Sequence, residues 1–262
     1  MGGGDPALST QHSAPSTAVR PHVCYSPAAL RRLVLFDIDG TILTDRGASR
    51  AAFADALARV YGYEGQLSRY DFSGRTDPQI AHMVLRDAGL ASHDIDTALP
   101  RLWEIYLEGL ARNATPERVQ VMPGIRELLV ELQAHQDVVL ALLTGNIEPG
   151  ARLKLAGAAL NDYFPFGAFG SDSPDRTELP PIAMNRASRH VGKDFHGADV
   201  VIIGDSIFDV RCGVPYEATT IAVASGKTPA ELLRAENPTH FFEDASDVGA
   251  VFEAILGVMS AE

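Results

Sequence analysis

Lysine is almost missing from this chain. It occurs at positions 154, 193 and 227 only, and nowhere between 46 and 121. Thirty-four acids face 22 bases, for a net charge of −12 over 262 residues. A broad nucleic-acid face needs many Lys and Arg to displace counterions, so nucleic acid is not an expected partner. Cysteine is scarce too. Cys24 and Cys212 lie far apart and form neither a CxxC nor a metal-ligand pattern. No disulfide framework is implied, and a reducing, cytoplasmic setting is expected. Long apolar runs are absent: stretches such as Val138 to Leu143 have strand length, against roughly 20 residues for a spanning helix. No membrane association is expected. Residues 1 to 29 are rich in Gly, Pro, Ser and Ala and lack the apolar middle of a signal peptide. Residues 1–30 therefore read as a disordered extension. The histidines show no HxH or HExxH spacing.

Hydrophobic residues nevertheless make up 46% of the chain, enough for a large core with a smaller companion. From residue 33 onward, short apolar runs (Leu33–Phe36, Val138–Leu143, Val200–Ile203 and Thr220–Val223) alternate with helical patterns at Ile125 to Leu132, Ala151 to Leu160, Ile182 to Val191 and Val248 to Leu256. Such alternation predicts an α/β fold with a doubly wound, Rossmann-like parallel sheet. Residues 46–121 break it, with helical faces such as Phe53, Leu57 and Val60, and a helix start at Asp77-Pro78. The expected organisation is an α/β core from 31–45 plus 122–262, with an inserted all-helical unit at 46–121.

In doubly wound sheets, ligands bind beyond the carboxyl ends of the strands. The strands here end in Asp37-Ile38-Asp39-Gly40-Thr41, Thr144-Gly145-Asn146 and Gly204-Asp205-Ser206, the last followed by Asp209. Each alone is an ordinary turn; all three at strand ends, in this order, are not. With Arg176 between the second and third, they resemble the haloacid dehalogenase superfamily, over residues 33 to about 256. The helical insert falls where that family carries a cap.

Carboxylates at 37, 39, 205 and 209 gathered at one edge call for a hard divalent cation, and Mg²⁺ is the natural candidate. The resemblance implies that Asp37 is the nucleophile toward phosphorus and a metal ligand. It implies that Asp39 is the general acid/base, oriented by Thr41, with its backbone carbonyl on the metal. Asp205 becomes a metal ligand and Asp209 an outer one. Thr144, Gly145 and Asn146 would hold phosphoryl oxygens.

Dehalogenases of this superfamily lack the second aspartate, so Asp39 argues against halide release. Phosphonoacetaldehyde hydrolases need a cap lysine, and this insert has none. Phosphoester hydrolysis of a small phosphorylated metabolite is the favoured reading, by a monomer or homodimer. The alternatives are a β-phosphoglucomutase-type mutase and a non-catalytic phosphate binder. Phe72-Ser73-Gly74-Arg75-Thr76-Asp77 looks like the cap loop of phosphoglycolate phosphatase-like members, which makes Arg75 a candidate contact to an anionic substrate group. The family's usual cation upstream of the Gly-Asp-Ser strand is assigned to Arg176, at the start of a helix. Lys154, between Leu153 and Leu155, is expected to face solvent, and Lys193 to lie at the far end of the next helix.

These roles separate the two aspartates. Asp37→Asn is expected to abolish phosphoenzyme formation, read by acid-quenched trapping. Asp39→Asn should slow turnover by roughly a hundredfold or more.

Overall fold

The computed structural model describes residues 1–2 and 32–257 of the chain. The expected N-terminal extension and Cys24 lie outside the described residues, apart from Met1 and Gly2. Strand β1 is Arg32–Phe36, followed by a two-residue strand β2, Leu43–Thr44. Three helices follow: α1 (Ala48–Tyr61), α2 (Asp77–Asp87) and α3 (Ser92–Asn113). After β3 (Gln120–Val121) the alternation resumes as α4 (Ile125–Ala134), β4 (Val138–Thr144), α5 (Glu148–Gly157), β5 (Gly167–Phe169) and α6 (Leu179–Val191). The chain continues through β6 (Val200–Gly204), α7 (Ile207–Gly213), β7 (Thr219–Val223), α8 (Ala230–Ala235), β8 (His240–Phe242) and α9 (Val248–Leu256).

The main sheet has the order β5-β4-β1-β6-β7-β8, with every pairing parallel. The α/β doubly wound architecture predicted from the sequence is thus the one observed. Its central strands are buried on both faces, which is why they read as unbroken apolar runs. Val34, Phe36, Leu140 and Leu142 pack with α4, α5 and α9 on one side. Leu33, Leu35, Ala141 and Leu143 pack with α6 on the other. The three-residue strands β5 and β8 escaped the sequence reading because they are too short to show periodicity. Helix α5 starts at Glu148 rather than Ala151, with Pro149 in its first turn.

The ribbon of β2 and β3 is antiparallel, pairing Leu43 with Val121 and Thr44 with Gln120. It draws together the two chain crossings on either side of α1, α2 and α3. Those helices bury their own cluster, including Phe53, Leu57, Leu85, Ile95, Leu102 and Leu110, against which Ile147 from the core also packs. Trp103 belongs to this packing, stacked on Phe53 with 6.1 Å between ring centroids. Asp94 sits in the first turn of α3, where a negative charge favours the positive end of the helix dipole.

Phe164 is wholly buried and meets Phe36 edge-on at 5.9 Å. Phe164→Ala is expected to cost about 3–5 kcal/mol, measurable as a lower urea midpoint with an unchanged slope.

Candidate active site

Strands β4, β1 and β6 are neighbours, so their three loaded ends lie side by side. The Asp37 N–H donates to the Ile203 carbonyl at 3.0 Å, tying the first loop to the third. Gly40 then turns the chain with φ at 88°. A Cβ there would stand 2.4 Å from Asp205 Oδ2, so glycine is required by contact as well as conformation. Thr41 donates its hydroxyl to Asp205 Oδ1 at 3.4 Å, not to Asp39, so the expectation that it orients Asp39 is corrected.

Asp37, Asp205 and Asp209 are all buried, with one carboxylate oxygen from each within 4.8 Å of the others. Their unequal company decides what the cluster can hold. Arg176, buried just before α6, reaches Asp37 Oδ1 at 3.2 Å and also forms an ion pair with Asp209. It donates further to the Leu143 carbonyl at 3.2 Å and to the Gly74 carbonyl at 3.1 Å. Asp209 is fully engaged: its Oδ2 also accepts from the Ser206 N–H and hydroxyl at 3.0 and 2.6 Å, forming a capping box at the start of α7. Among the described residues, no ion pair reaches Asp205. Burial, then Asp37 and Asp209, push its carboxyl well above the usual range. Burial also raises Asp37, and Arg176 opposes that rise. A hard cation with oxygen ligands fits this imbalance, with Asp37 and Asp205 as the available donors and Asp209 turned to its own helix and to Arg176.

Asp39 lies outside that trio. Lys154 Nζ sits 2.8 and 2.6 Å from its two oxygens and donates to Asn146 Oδ1 at 2.7 Å. Asn146 Nδ2 in turn donates to Asp39 at 2.8 Å and to the Thr144 hydroxyl at 2.8 Å. Lys154 is therefore buried, with only 3% of its side chain exposed, and not turned to solvent. Burial alone would lower its ammonium, but Asp39, Asp45 and Asp77 raise it above the ordinary lysine value. The sequence contains the signal. Ala151, Leu155 and Ala158 form a helical stripe at i, i+4 and i+7, and Lys154 at i+3 falls on it. Its apolar neighbours 153 and 155 say less than that periodicity.

Two further acids escaped the sequence reading. Asp45 is buried and accepts from the Gly47 and Ser49 N–H groups at 2.9 and 2.8 Å. Asp77 begins α2, capped by Thr76 rather than acting as the cap itself. Its carboxylate accepts from the Ile147 N–H at 2.9 Å, and burial pushes it up to about 6. The Asp77 N–H donates to the Gly145 carbonyl at 2.7 Å. A Cβ on Gly145 would fall 2.1 Å from the Arg75 carbonyl, so Gly145 lets the 72–77 loop lie against the Thr-Gly-Asn turn. Arg75 borders the same cavity, with its Nε bonded to the Asp71 carbonyl at 3.2 Å and its guanidinium 5.3 Å from the Phe208 ring. That cavity, about 570 Å³, includes Asp37, Asp39, Lys154, Asp205, Phe53 and Tyr106 in its walls. Lys193 lies elsewhere, 3.8 Å from Asp199.

An acid cluster with a buried arginine at the carboxyl edge of a doubly wound sheet, under a helical insert, defines a class of α/β hydrolases. The chain belongs to the haloacid dehalogenase-like hydrolase family, whose model matches residues 34–213. It is 27% identical over 222 residues to a phosphoglycolate phosphatase of Pseudomonas fluorescens, covering 83% of this chain and 78% of that protein. Among solved structures, a hydrolase from Pseudomonas syringae superimposes with a TM-score of 0.64 at 20% identity, over 84% of this chain and 96% of that one. A predicted phosphatase from Clostridium acetobutylicum gives 0.65 at 19% identity, over 87% and 100%. No helix of the described residues is long and apolar enough to cross a membrane.

Removing Arg176 strands two buried carboxylates. Arg176→Ala is expected to lower turnover at least tenfold. It should also destabilise the fold by about 3–5 kcal/mol in chemical denaturation.

Proposed function

We propose that this chain is a Mg²⁺-dependent phosphatase that hydrolyses a small phosphomonoester through an aspartyl-phosphate intermediate. The observation that carries the reading is the charge imbalance: three buried carboxylates approach within 4.8 Å, and Arg176 pairs with Asp37 and Asp209 while, among the described residues, no ion pair reaches Asp205. Asp37, Asp205 and the Asp39 backbone carbonyl would hold the cation, with Asp209 behind them. When bound, Mg²⁺ supplies positive charge that offsets the phosphoryl oxygens and the developing charge of transfer.

The rest falls to the chain's own groups. Asp37 attacks phosphorus with one carboxylate oxygen, and the bond to the leaving oxygen breaks as that oxygen takes a proton from Asp39. Water then attacks the aspartyl phosphate, giving its proton to Asp39, and Asp37 is regenerated with release of phosphate. The Thr144 hydroxyl, the turn at Gly145 and Asn146, and Arg176 are proposed to hold the phosphoryl group. Residues 46–121 serve as the cap over the core of 31–45 and 122–262. Arg75, in the cavity wall without an ion-pair partner among the described residues, is proposed to meet an anionic group of the substrate.

Turnover of p-nitrophenyl phosphate tests this. Sustained phosphate release should require Mg²⁺, vanish in excess EDTA and be inhibited by Ca²⁺, whose looser coordination misplaces Asp37. Full activity in EDTA overturns the mechanism. A single burst without sustained release points instead to a phosphosugar mutase.

A further inference from the structure

Among the described residues, Lys154 forms an ion pair with Asp39 and with no member of the acid trio. Its ammonium straddles both oxygens of that carboxylate and the oxygen of Asn146, at 2.6 to 2.8 Å. Asn146 closes the triangle through its own donor to Asp39 at 2.8 Å. The lysine enters from α5, a core helix that packs against α3 of the helical insert. The carboxylate it holds retains 43% side-chain exposure, and that exposed part faces the cavity. One side of Asp39 is thus fixed by a buried donor pair, and the other is presented to whatever the cavity binds.

We propose that Lys154 is a positioning residue that holds the Asp39 carboxyl group, together with Asn146, in the orientation needed to meet the leaving-group oxygen. The inference rests on the phosphatase reading, in which Asp39 exchanges the proton. Lys154 itself makes no bond to substrate and takes no place among the groups that hold the phosphoryl oxygens. It differs in this from Arg176, which touches the nucleophile and belongs to the phosphoryl side of the site.

The two roles predict different dependence on the leaving group. In the first half-reaction the Asp37–phosphorus bond forms, the ester bond breaks, and the departing oxygen takes the Asp39 proton. A nitrophenolate leaves readily without that proton, whereas an alkoxide does not. A residue that acts by orienting Asp39 should therefore matter for alkyl phosphates and little for p-nitrophenyl phosphate. A cation that binds phosphate should matter equally for both.

The experiment compares kcat/KM for phenethyl phosphate and p-nitrophenyl phosphate in the full-length Mg²⁺-loaded protein, because that ratio reports steps up to loss of the alcohol. Lys154→Met is expected to lose at least about 30-fold on the alkyl ester and less than about threefold on the nitrophenyl ester. The Lys154→Met, Asp39→Asn double variant should be no worse on the alkyl ester than Asp39→Asn alone, since both disable one step. Lys154→Met also leaves the Asp39, Asp45 and Asp77 charges unbalanced, so Lys154→Arg is measured beside it. That variant keeps the buried charge and a melting temperature near wild type, but a guanidinium cannot place one nitrogen astride both Asp39 oxygens. It should show the same leaving-group split at smaller amplitude. Equal losses on the two esters in Lys154→Arg, or losses in Lys154→Met that multiply with those of Asp39→Asn, overturn the assignment. The phosphatase reading fails separately, if wild-type protein gives no Mg²⁺-dependent turnover of p-nitrophenyl phosphate.

Discussion

Burying carboxylates at the end of a parallel sheet is the constraint around which this molecule is arranged. An uncompensated buried charge costs several kcal/mol even after relaxation, and here acids gather at one edge from the loop after β1, from α2, from the turn after β6 and from the start of α7. Two cations divide them. Arg176 serves Asp37 and Asp209, and Lys154 serves Asp39 with Asp45 and Asp77 nearby. The fork of a guanidinium suits the first task, because it must meet two carboxylates and two carbonyls in different directions. The compact ammonium suits the second, where three acceptor atoms converge on one point. Asp205 is left over, with no ion-pair partner among the described residues, and it is there that a metal ion is proposed to complete the balance.

The same contacts couple the helical unit to the core. Arg176 joins Asp37 to the Gly74 carbonyl, and Asp77 exchanges backbone and side-chain hydrogen bonds with the turn at Gly145 and Ile147. Thr76 adds a bond from its hydroxyl to the Pro174 carbonyl at 2.8 Å. The 72–77 loop is therefore seated on the groups proposed to bind phosphate, with no side chain on Gly145 to hold it off. Cavity shape above the catalytic edge depends on that seating, since Phe53, Phe72 and Tyr106 reach the cavity only from the helical unit.

The proposed choice of metal donors follows from who is already occupied. Asp209 spends one oxygen on its own helix start and the other on Arg176. Asp39 spends both on Lys154. Asp37 and Asp205 keep free capacity, and the glycines at 40 and 226 bring backbone close to Asp205 where any Cβ would collide. Charge and access both select the same pair.

Much of this was legible in the residues alone. Apolar runs closed by acids, Thr-Gly-Asn and Gly-Asp-Ser specified a doubly wound sheet with its chemistry on one edge, because buried parallel strands must be apolar throughout and polar only where they end. Arg176 was reached through the family resemblance, which places a cation at the start of a helix upstream of the third motif, and the structure sets it against Asp37 and Asp209. Other features were decided only in three dimensions. The burial of Lys154, the diversion of Thr41 to Asp205 and the recruitment of Asp45 and Asp77 depend on which side chains the packing of α5, α2 and the ribbon brings together. Local sequence encodes the period of a helix and the end of a strand. The pairing of charges across 115 residues, as between Lys154 and Asp39, is set by tertiary packing, because a buried ion pair forms only where both partners lose water together.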